Sequence, residues 1–332
     1  MPKPIQRIAV TGAAGHIAYS LLFSLANGEL FGGSQPIALH LLEIEPAMPL
    51  LQAVQMELED CSFPLLKEIK IGTDPYAVFE GVDVAFLIGA KPRGPNSERK
   101  DLISVNGAIF AEQGKALNRS ANRDVKVLVT GNPCNTNALI ALHNAPDLSR
   151  KNFHALTRLD QNRAQSFLAK KAGVPNKEVT KVAIWGNHSS TQVPDFFHAE
   201  ISGKKVMEII KDTDWLYKEF TPLVQKRGAE IIKVRGKSSA ASAAFATLSA
   251  MKDLFFETSS DTFYSSAIHS SLLSYPVDKD LFFSAPCKTG KSQAVEPVSG
   301  LDWNEYLEEK IKISEKELIE ERDMALNLLG TK

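Results

Sequence analysis

His188 stands just past an apolar run, Val179–Trp185, in the stretch Trp185-Gly186-Asn187-His188-Ser189. Imidazole is the side chain that ordinarily changes charge near neutrality, so a histidine at a strand end is a candidate proton acceptor. Among the seven histidines this placement singles out His188: His40 lies mid-strand, His143 near a helix end, and His269 in an irregular serine-rich segment. No two histidines have the i,i+4 spacing that would put a metal on one helix face. Asp160 and Arg163, in Leu159-Asp160-Gln161-Asn162-Arg163, are three positions apart and share a helix face. A carboxylate reaching His188 would fix the imidazole tautomer and stabilise the imidazolium. The guanidinium would then grip a substrate carboxylate through two parallel hydrogen bonds. Taken alone, the two residues are an intrahelical ion pair worth a few tenths of a kcal/mol, roughly. Arg158, five positions from Arg163, reads as structural.

A second source of positive charge is the loop Lys91-Pro92-Arg93-Gly94-Pro95-Asn96-Ser97-Glu98-Arg99. Its proline and glycine density excludes regular structure, and it follows directly from a strand end, a position from which a loop can close over a ligand. With Arg163, the loop arginines suit a small dianion. Arg163 would take the carboxylate next to the reacting carbon, Arg93 the distal one, and Arg99 would polarise a carbonyl oxygen. A solvated loop countered by Glu98 and Asp101 is the alternative that spacing alone leaves open.

These groups need elements to hold them. Ile5–Thr11 reads as a buried strand, Gly12-Ala13-Ala14-Gly15 as a turn, and Ile17, Leu21, Leu22 and Leu25 as one face of a following helix. Strand, glycine turn and helix together aim backbone N–H groups at a phosphate. Gly12 would permit the turn, Gly15 the approach of a pyrophosphate, and Ala18 close packing of helix on sheet. The spacing is G-x-x-G-x-x-A rather than G-x-G-x-x-G, so a tight turn without a ligand stays open at this point. Ile37–Leu42 is a second apolar strand ending at Glu43, where a carboxylate can accept both ribose hydroxyls of an adenosine and repel a 2′-phosphate. That favours NAD over NADP. Ile69–Gly72, Val82–Ala90 and Val125–Gly131 read as further buried strands, with a helix from about Glu98 to Ala121 before the last. Alternation of this kind predicts an α/β fold: a Rossmann-type doubly wound parallel sheet with ligands at the carboxyl ends of its strands. There lie Gly89-Ala90 and Gly131-Asn132-Pro133. The alternation breaks down after residue 154, which divides the chain into a nucleotide-binding domain, 1–154, and an α+β substrate and catalytic domain, 155–332. The proton-handling pair then falls after the boundary and the cofactor residues before it. A charged amphipathic helix over Glu305–Leu329 completes the chain.

Composition removes other classes. Lys+Arg 38 against Asp+Glu 39 in 332 residues gives a net charge of -1, so no overall basic field invites nucleic acid or an anionic membrane. The weakly charged stretch Ile8–Asn27 resembles a signal or membrane segment, but Thr11, Gly12, Gly15, His16, Ser20, Ser24 and Asn27 interrupt it. Three cysteines without CxxC spacing fit free thiols in a reducing compartment.

TGAAGHIAY (11–19), LLEI (41–44), GAKPRGPNSERKDL (89–102), GNPCNTN (131–137), LTRLDQNRA (156–164) and GNHSS (186–190) occur in order, and SSAASAA (238–244) extends them. Together they resemble the NAD-dependent malate dehydrogenases, the cytosolic-type branch of the lactate/malate dehydrogenase family. The resemblance implies reversible oxidation of (S)-malate to oxaloacetate, with His188 as proton acceptor, Asp160 as its partner, and Arg93, Arg99 and Arg163 on the substrate. It implies Asn132 near both cofactor and substrate, and NAD held by Gly12, Ala13, Ala14, Gly15, His16, Ile17, Ala18, Glu43, Asn106, Gln113, Thr130 and Gly131. It also implies a cytoplasmic homodimer working in the tricarboxylic acid cycle. In the similar lactate dehydrogenases a neutral residue matches Arg93, so Arg93 argues for a dicarboxylate. Glu43 departs from the family's usual aspartate, Lys91 and residues 94–97 from its common lid, and Ser259–Ser274 resembles it poorly. Another NAD-dependent 2-hydroxy acid dehydrogenase, or a non-enzymatic NAD-binding sensor, are the other readings. A nucleotide-sugar epimerase or reductase would need Tyr-x-x-x-Lys on a helix, and both such spacings, Tyr275…Lys279 with Pro276 inside it and Tyr306…Lys310, fall too late in the chain.

Overall fold

The computed structural model describes residues 3–91 and 99–329. The chain divides into two units. The first holds the residues up to His154, Ala240–Lys252 and the stretch from Glu321 on; the second holds Ala155–Ser239 and Asp253–Glu320.

Six strands build the sheet of the first unit. These are β1 (Gln6–Thr11), β2 (Ile37–Leu42), β3 (Leu66–Gly72), β4 (Val84–Leu87), β5 (Lys126–Val129) and β6 (Phe153–Ala155). The first five pair in parallel, and the spatial order is β3-β2-β1-β4-β5-β6. Every residue of β2 and β4 is buried, as a parallel sheet covered on both faces requires. The strand order reverses between β1 and β4, and beyond their carboxyl ends lies the place where such sheets take ligands. The intervening helices are α1 (His16–Ala26), α2 (Met48–Asp60), α3 (Pro75–Val78), α4 (Arg99–Ser120) and α5 (Cys134–His143). α1 buries Ala18, Leu21, Leu22 and Leu25, a single helical stripe.

Two histidines are sealed in this sheet. His40 places Nδ1 2.8 Å from the Val78 carbonyl oxygen, and burial pushes its imidazole below the ordinary range. His154 is wholly buried; burial, helped by the Lys126 charge, pushes it from 6.5 down to about 3. The unfolded chain therefore takes up a proton that the folded chain refuses. For His154 the stability at stake is complete above about pH 6.5 and falls as pH drops towards about 3, by about 1.4 kcal/mol per pH unit, and His40 acts in the same direction. The expected result is a denaturant midpoint that declines between pH 7 and 5, with a slope smaller by one proton in His154→Met. Equal slopes in the two proteins would remove His154 from the acid sensitivity.

The second unit is made of short elements. α6 (Arg158–Ala172) is followed by β7 (Val179–Thr180), β8 (Ala183–Trp185), β9 (Val193–Asp195), β10 (Glu200–Ile201) and β11 (Lys204–Lys205). Then come α7 (Val206–Ile209), a wide helical turn Trp215–Phe220, α8 (Thr221–Arg235) and α9 (Ala241–Phe255), most of which belongs to the first unit. β12 (Tyr264–His269), β13 (Phe282–Thr289), β14 (Val295–Pro297) and α10 (Glu305–Leu329) complete the chain. Leu168, Val179, Val182, Ile184, Phe196, Leu216 and Phe220 share one core.

Two sequence expectations need correction here. Val179–Trp185 is not one strand: Lys181, at φ 54°, breaks it, so β7 pairs with β10 while β8 pairs with β9. The serine-rich segment around His269 is not irregular but forms β12, with all six residues buried and antiparallel to β13. Its serines are tolerated inside because they are bonded: Ser265 Oγ accepts the Ile184 N–H at 2.9 Å, and Gln161 Oε1 accepts the Ser265 N–H at 2.9 Å. Among the described residues no helix is long and apolar enough to cross a membrane.

Candidate active site

At the end of β1 the backbone of Gly12 is left-handed, φ +63°, and a Cβ there would lie 2.5 Å from Gly89 Cα at the end of β4. Only glycine supplies both the conformation and the clearance. Thr11 fixes the same junction, its Oγ1 accepting the N–H groups of Ile88 and Gly89, both at 3.1 Å. α1 starts at His16 with neither a side-chain cap nor an acidic residue in its first turn. Its leading N–H groups and positive end are thus suited to a pyrophosphate. Ala13 and Ala18 are buried packing positions, whereas Gly15 and His16 are exposed and Ile17 half-buried.

Glu43, just beyond β2, is anchored beside this turn. One carboxylate oxygen accepts the Ala14 N–H at 3.1 Å and the other the Ile44 N–H at 3.0 Å. A carboxylate offers about four lone-pair sites, so ribose hydroxyls can still be accepted. Beyond β5, Thr130 and Gly131 both donate their N–H groups to the Leu87 carbonyl, at 2.9 and 3.1 Å. The Asn132 side chain is exposed next to them. Asn106 is fully buried on α4 and uses its amide to tie two strand ends together. Its Oδ1 accepts the Lys91 N–H at 2.8 Å, and its Nδ2 donates to the Asn132 carbonyl at 2.9 Å. Gln113, seven residues on, is buried with its Oε1 lacking a partner, an acceptor for a ligand donor. Glycine clearance, uncapped helix start, anchored carboxylate and orphaned amide oxygen fit a dinucleotide.

The second unit holds the proton-handling pair. His188 Nδ1 is hydrogen-bonded to Asp160 Oδ2, and Asp160 is completely buried on α6. Two further donors reach the other oxygen of that carboxylate: Gln192 Nε2 at 3.2 Å and Arg163 at 3.4 Å. A buried carboxylate is costly unless paired and hydrogen-bonded, and these three donors compensate its burial. The pairing fixes the imidazole ring and its tautomer, with Nδ1 carrying the proton towards Asp160.

Arg163 lies within the same cluster, its second terminal nitrogen 3.3 Å from Ser239 Oγ. Burial lowers its affinity for a proton, while Asp160 opposes the loss. Arg158 faces away and pairs with Asp253 and Asn162, as its spacing predicts. Arg99 begins the helix α4, and Arg93 lies outside the described residues.

Thr11 and Gln192 are two residues that sequence spacing did not single out. Thr11 opens the glycine motif and could have been found there. Gln192 lies four positions past His188 in a polar run, a weak signal because the bond it makes is with a different element. Among the described residues no cluster of His, Cys, Asp and Glu is arranged to hold a metal ion. The chemistry open to this arrangement is proton exchange at an oriented imidazole, next to a cation able to hold a carboxylate.

Residues 6–154 match the family model described as lactate/malate dehydrogenase, NAD binding domain, and residues 157–328 match its alpha/beta C-terminal domain. The malate dehydrogenase of Protochlamydia amoebophila (strain UWE25) is 56% identical over 329 residues, 99% of each chain. A chloroplastic NADP malate dehydrogenase of Sorghum bicolor is 53% identical over 328 residues, 99% of this chain and 76% of that one. Among solved structures, malate dehydrogenase from Naegleria fowleri aligns with TM-score 0.95 and 45% identity, covering 99% of this chain and 100% of that one. The Trichomonas vaginalis lactate dehydrogenase in complex with NADH and oxamate aligns with TM-score 0.94 and 40% identity, covering 98% and 100%.

Proposed function

The chain belongs to the lactate/malate dehydrogenase family, and on that premise we propose that it catalyses the reversible NAD-dependent oxidation of (S)-malate to oxaloacetate. The observation that carries this reading is the His188–Asp160 hydrogen bond with Arg163 on the same buried carboxylate. In malate oxidation His188 Nε2 accepts the hydroxyl proton, and Asp160 stabilises the imidazolium that forms. In the reverse direction the imidazolium returns the proton to the carbonyl oxygen. Arg163 holds the carboxylate beside the reacting carbon, Arg93 the distal carboxylate, and Arg99 the reacting oxygen. Bound NAD supplies the acceptor for the hydride that leaves the alcohol carbon.

The end of β2 supports NAD over NADP as the cofactor. Glu43 is anchored there, and Ile44 and Glu45 follow it, so a 2′-phosphate would meet like charge. Such juxtaposition costs several kcal/mol. The same family likeness supports a homodimer. The test is reduction of NAD and of NADP by (S)-malate, followed through absorbance of the reduced cofactor. NAD is expected to lead in kcat/KM by about 100-fold or more, equivalent to roughly 2.7 kcal/mol. Equal use of NADP would overturn the role given to Glu43, and no reduction of either would overturn the function.

A further inference from the structure

The turn that carries His188 is fastened to α10 by two side chains. Gly186 follows β8 with φ +87°, and a Cβ there would sit 2.2 Å from Ser314 Oγ, so the turn reaches the helix only as glycine. Ser314, itself fully buried, accepts the Asn187 N–H at 2.8 Å, and its hydroxyl lies 3.0 Å from Thr191 Oγ1. Three positions on, Glu317 lies on the same face of α10. Its carboxylate accepts Asn187 Nδ2 at 2.8 Å, Thr191 Oγ1 at 2.7 Å and the Ser189 hydroxyl. The residues on either side of His188 thus hang on one carboxylate, some 130 residues away in the chain.

We propose that Glu317, seconded by Ser314, is a positioning residue for the proton donor and acceptor His188. The proposal rests on the proton-exchange reading of His188. Hydrogen bonds to a carboxylate are stronger than neutral ones, and three of them confine residues 187–191 to one conformation. The strand side of the turn has an independent anchor: Gly186 exchanges backbone hydrogen bonds with Ser284, at 3.1 and 2.9 Å. Removing the Glu317 carboxylate therefore loosens the turn and leaves the fold in place. Its effect reaches the reaction by displacing the imidazole, and misplacing a reacting group by about 1 Å costs on the order of 10²-fold in rate.

The test compares Glu317→Ala and Glu317→Gln with the unmodified protein, each with NADH and oxaloacetate. Glutamine keeps an oxygen that can accept the same donors, and alanine keeps none. Glu317→Ala is expected to lower kcat about 10- to 100-fold and to raise KM. With NADH deuterated at the transferred position, its isotope effect on kcat grows, because the chemical step has slowed. Glu317→Gln restores most of the activity, and NADH affinity is the same in all three. A kcat reduced in proportion to folded protein, with KM and isotope effect unchanged, would overturn the proposal, as would full activity in the alanine variant. A readout independent of turnover is the downfield Nδ1–H proton resonance of His188, identified by its loss in His188→Asn. It is expected to broaden or vanish in Glu317→Ala and persist in Glu317→Gln. An unchanged resonance in the alanine variant would overturn the positioning role whether or not oxaloacetate is reduced, whereas an unmodified protein that does not reduce oxaloacetate would overturn the proposed function instead.

Discussion

Replacing His188 with asparagine is expected to lower oxaloacetate reduction by about 10²- to 10⁴-fold, the range that a positioned acid–base group ordinarily contributes. Asparagine has no proton to exchange near neutrality. Asp160 keeps Gln192 at 3.2 Å and Arg163 at 3.4 Å, so the variant should fold and bind NADH normally. The pH profile is the more specific readout. Oxaloacetate reduction needs the imidazolium and should fall as pH rises; malate oxidation needs the neutral ring and should fall as pH drops. In His188→Asn both limbs should flatten. A variant that kept the rate, or kept those limbs, would place the proton on another group.

The second large effect concerns Arg93. Its role rests on the family likeness and on the loop's descent from a strand end, because the residue lies outside those the structure describes. A distal carboxylate that loses a hydrogen-bonded charge partner forfeits about 2–5 kcal/mol, equivalent to roughly 30- to 4,000-fold in kcat/KM at about 1.4 kcal/mol per factor of ten. Pyruvate has no distal carboxylate and so nothing to lose. Arg93→Gln should therefore collapse the oxaloacetate-to-pyruvate ratio by that factor while pyruvate reduction stays near its original rate. An unchanged ratio would reassign the distal carboxylate to another cation.

The sequence disclosed the first unit far better than the second, for a physical reason. Parallel strands covered on both faces must be apolar throughout, so β1, β2, β4 and β5 announce themselves as runs. Gly12 could be read because its conformation and clearance leave no substitute. In the second unit β7 and β8 looked continuous, since the break at Lys181 is a backbone event that its side chain does not advertise. β12 was hidden because its serines are buried through bonds to Gln161 and to the backbone of Ile184, partners invisible to local pattern. At the site, His188, Asp160 and Arg163 were legible from residue type and spacing. Gln192 and Glu317 were not: their bonds, to Asp160 on α6 and to the turn 187–191, are tertiary contacts that local pattern does not carry.

The central claim, dicarboxylate redox chemistry at a histidine held by Asp160, meets its most direct test in NADH oxidation with oxaloacetate, pyruvate and 2-oxoglutarate side by side. Oxaloacetate is expected to exceed each of the others in kcat/KM by about 10²-fold or more, as a distal ion pair worth about 3 kcal/mol would dictate. Pyruvate turned over equally well would contradict the dicarboxylate assignment, and no turnover with any of the three would contradict the catalytic one.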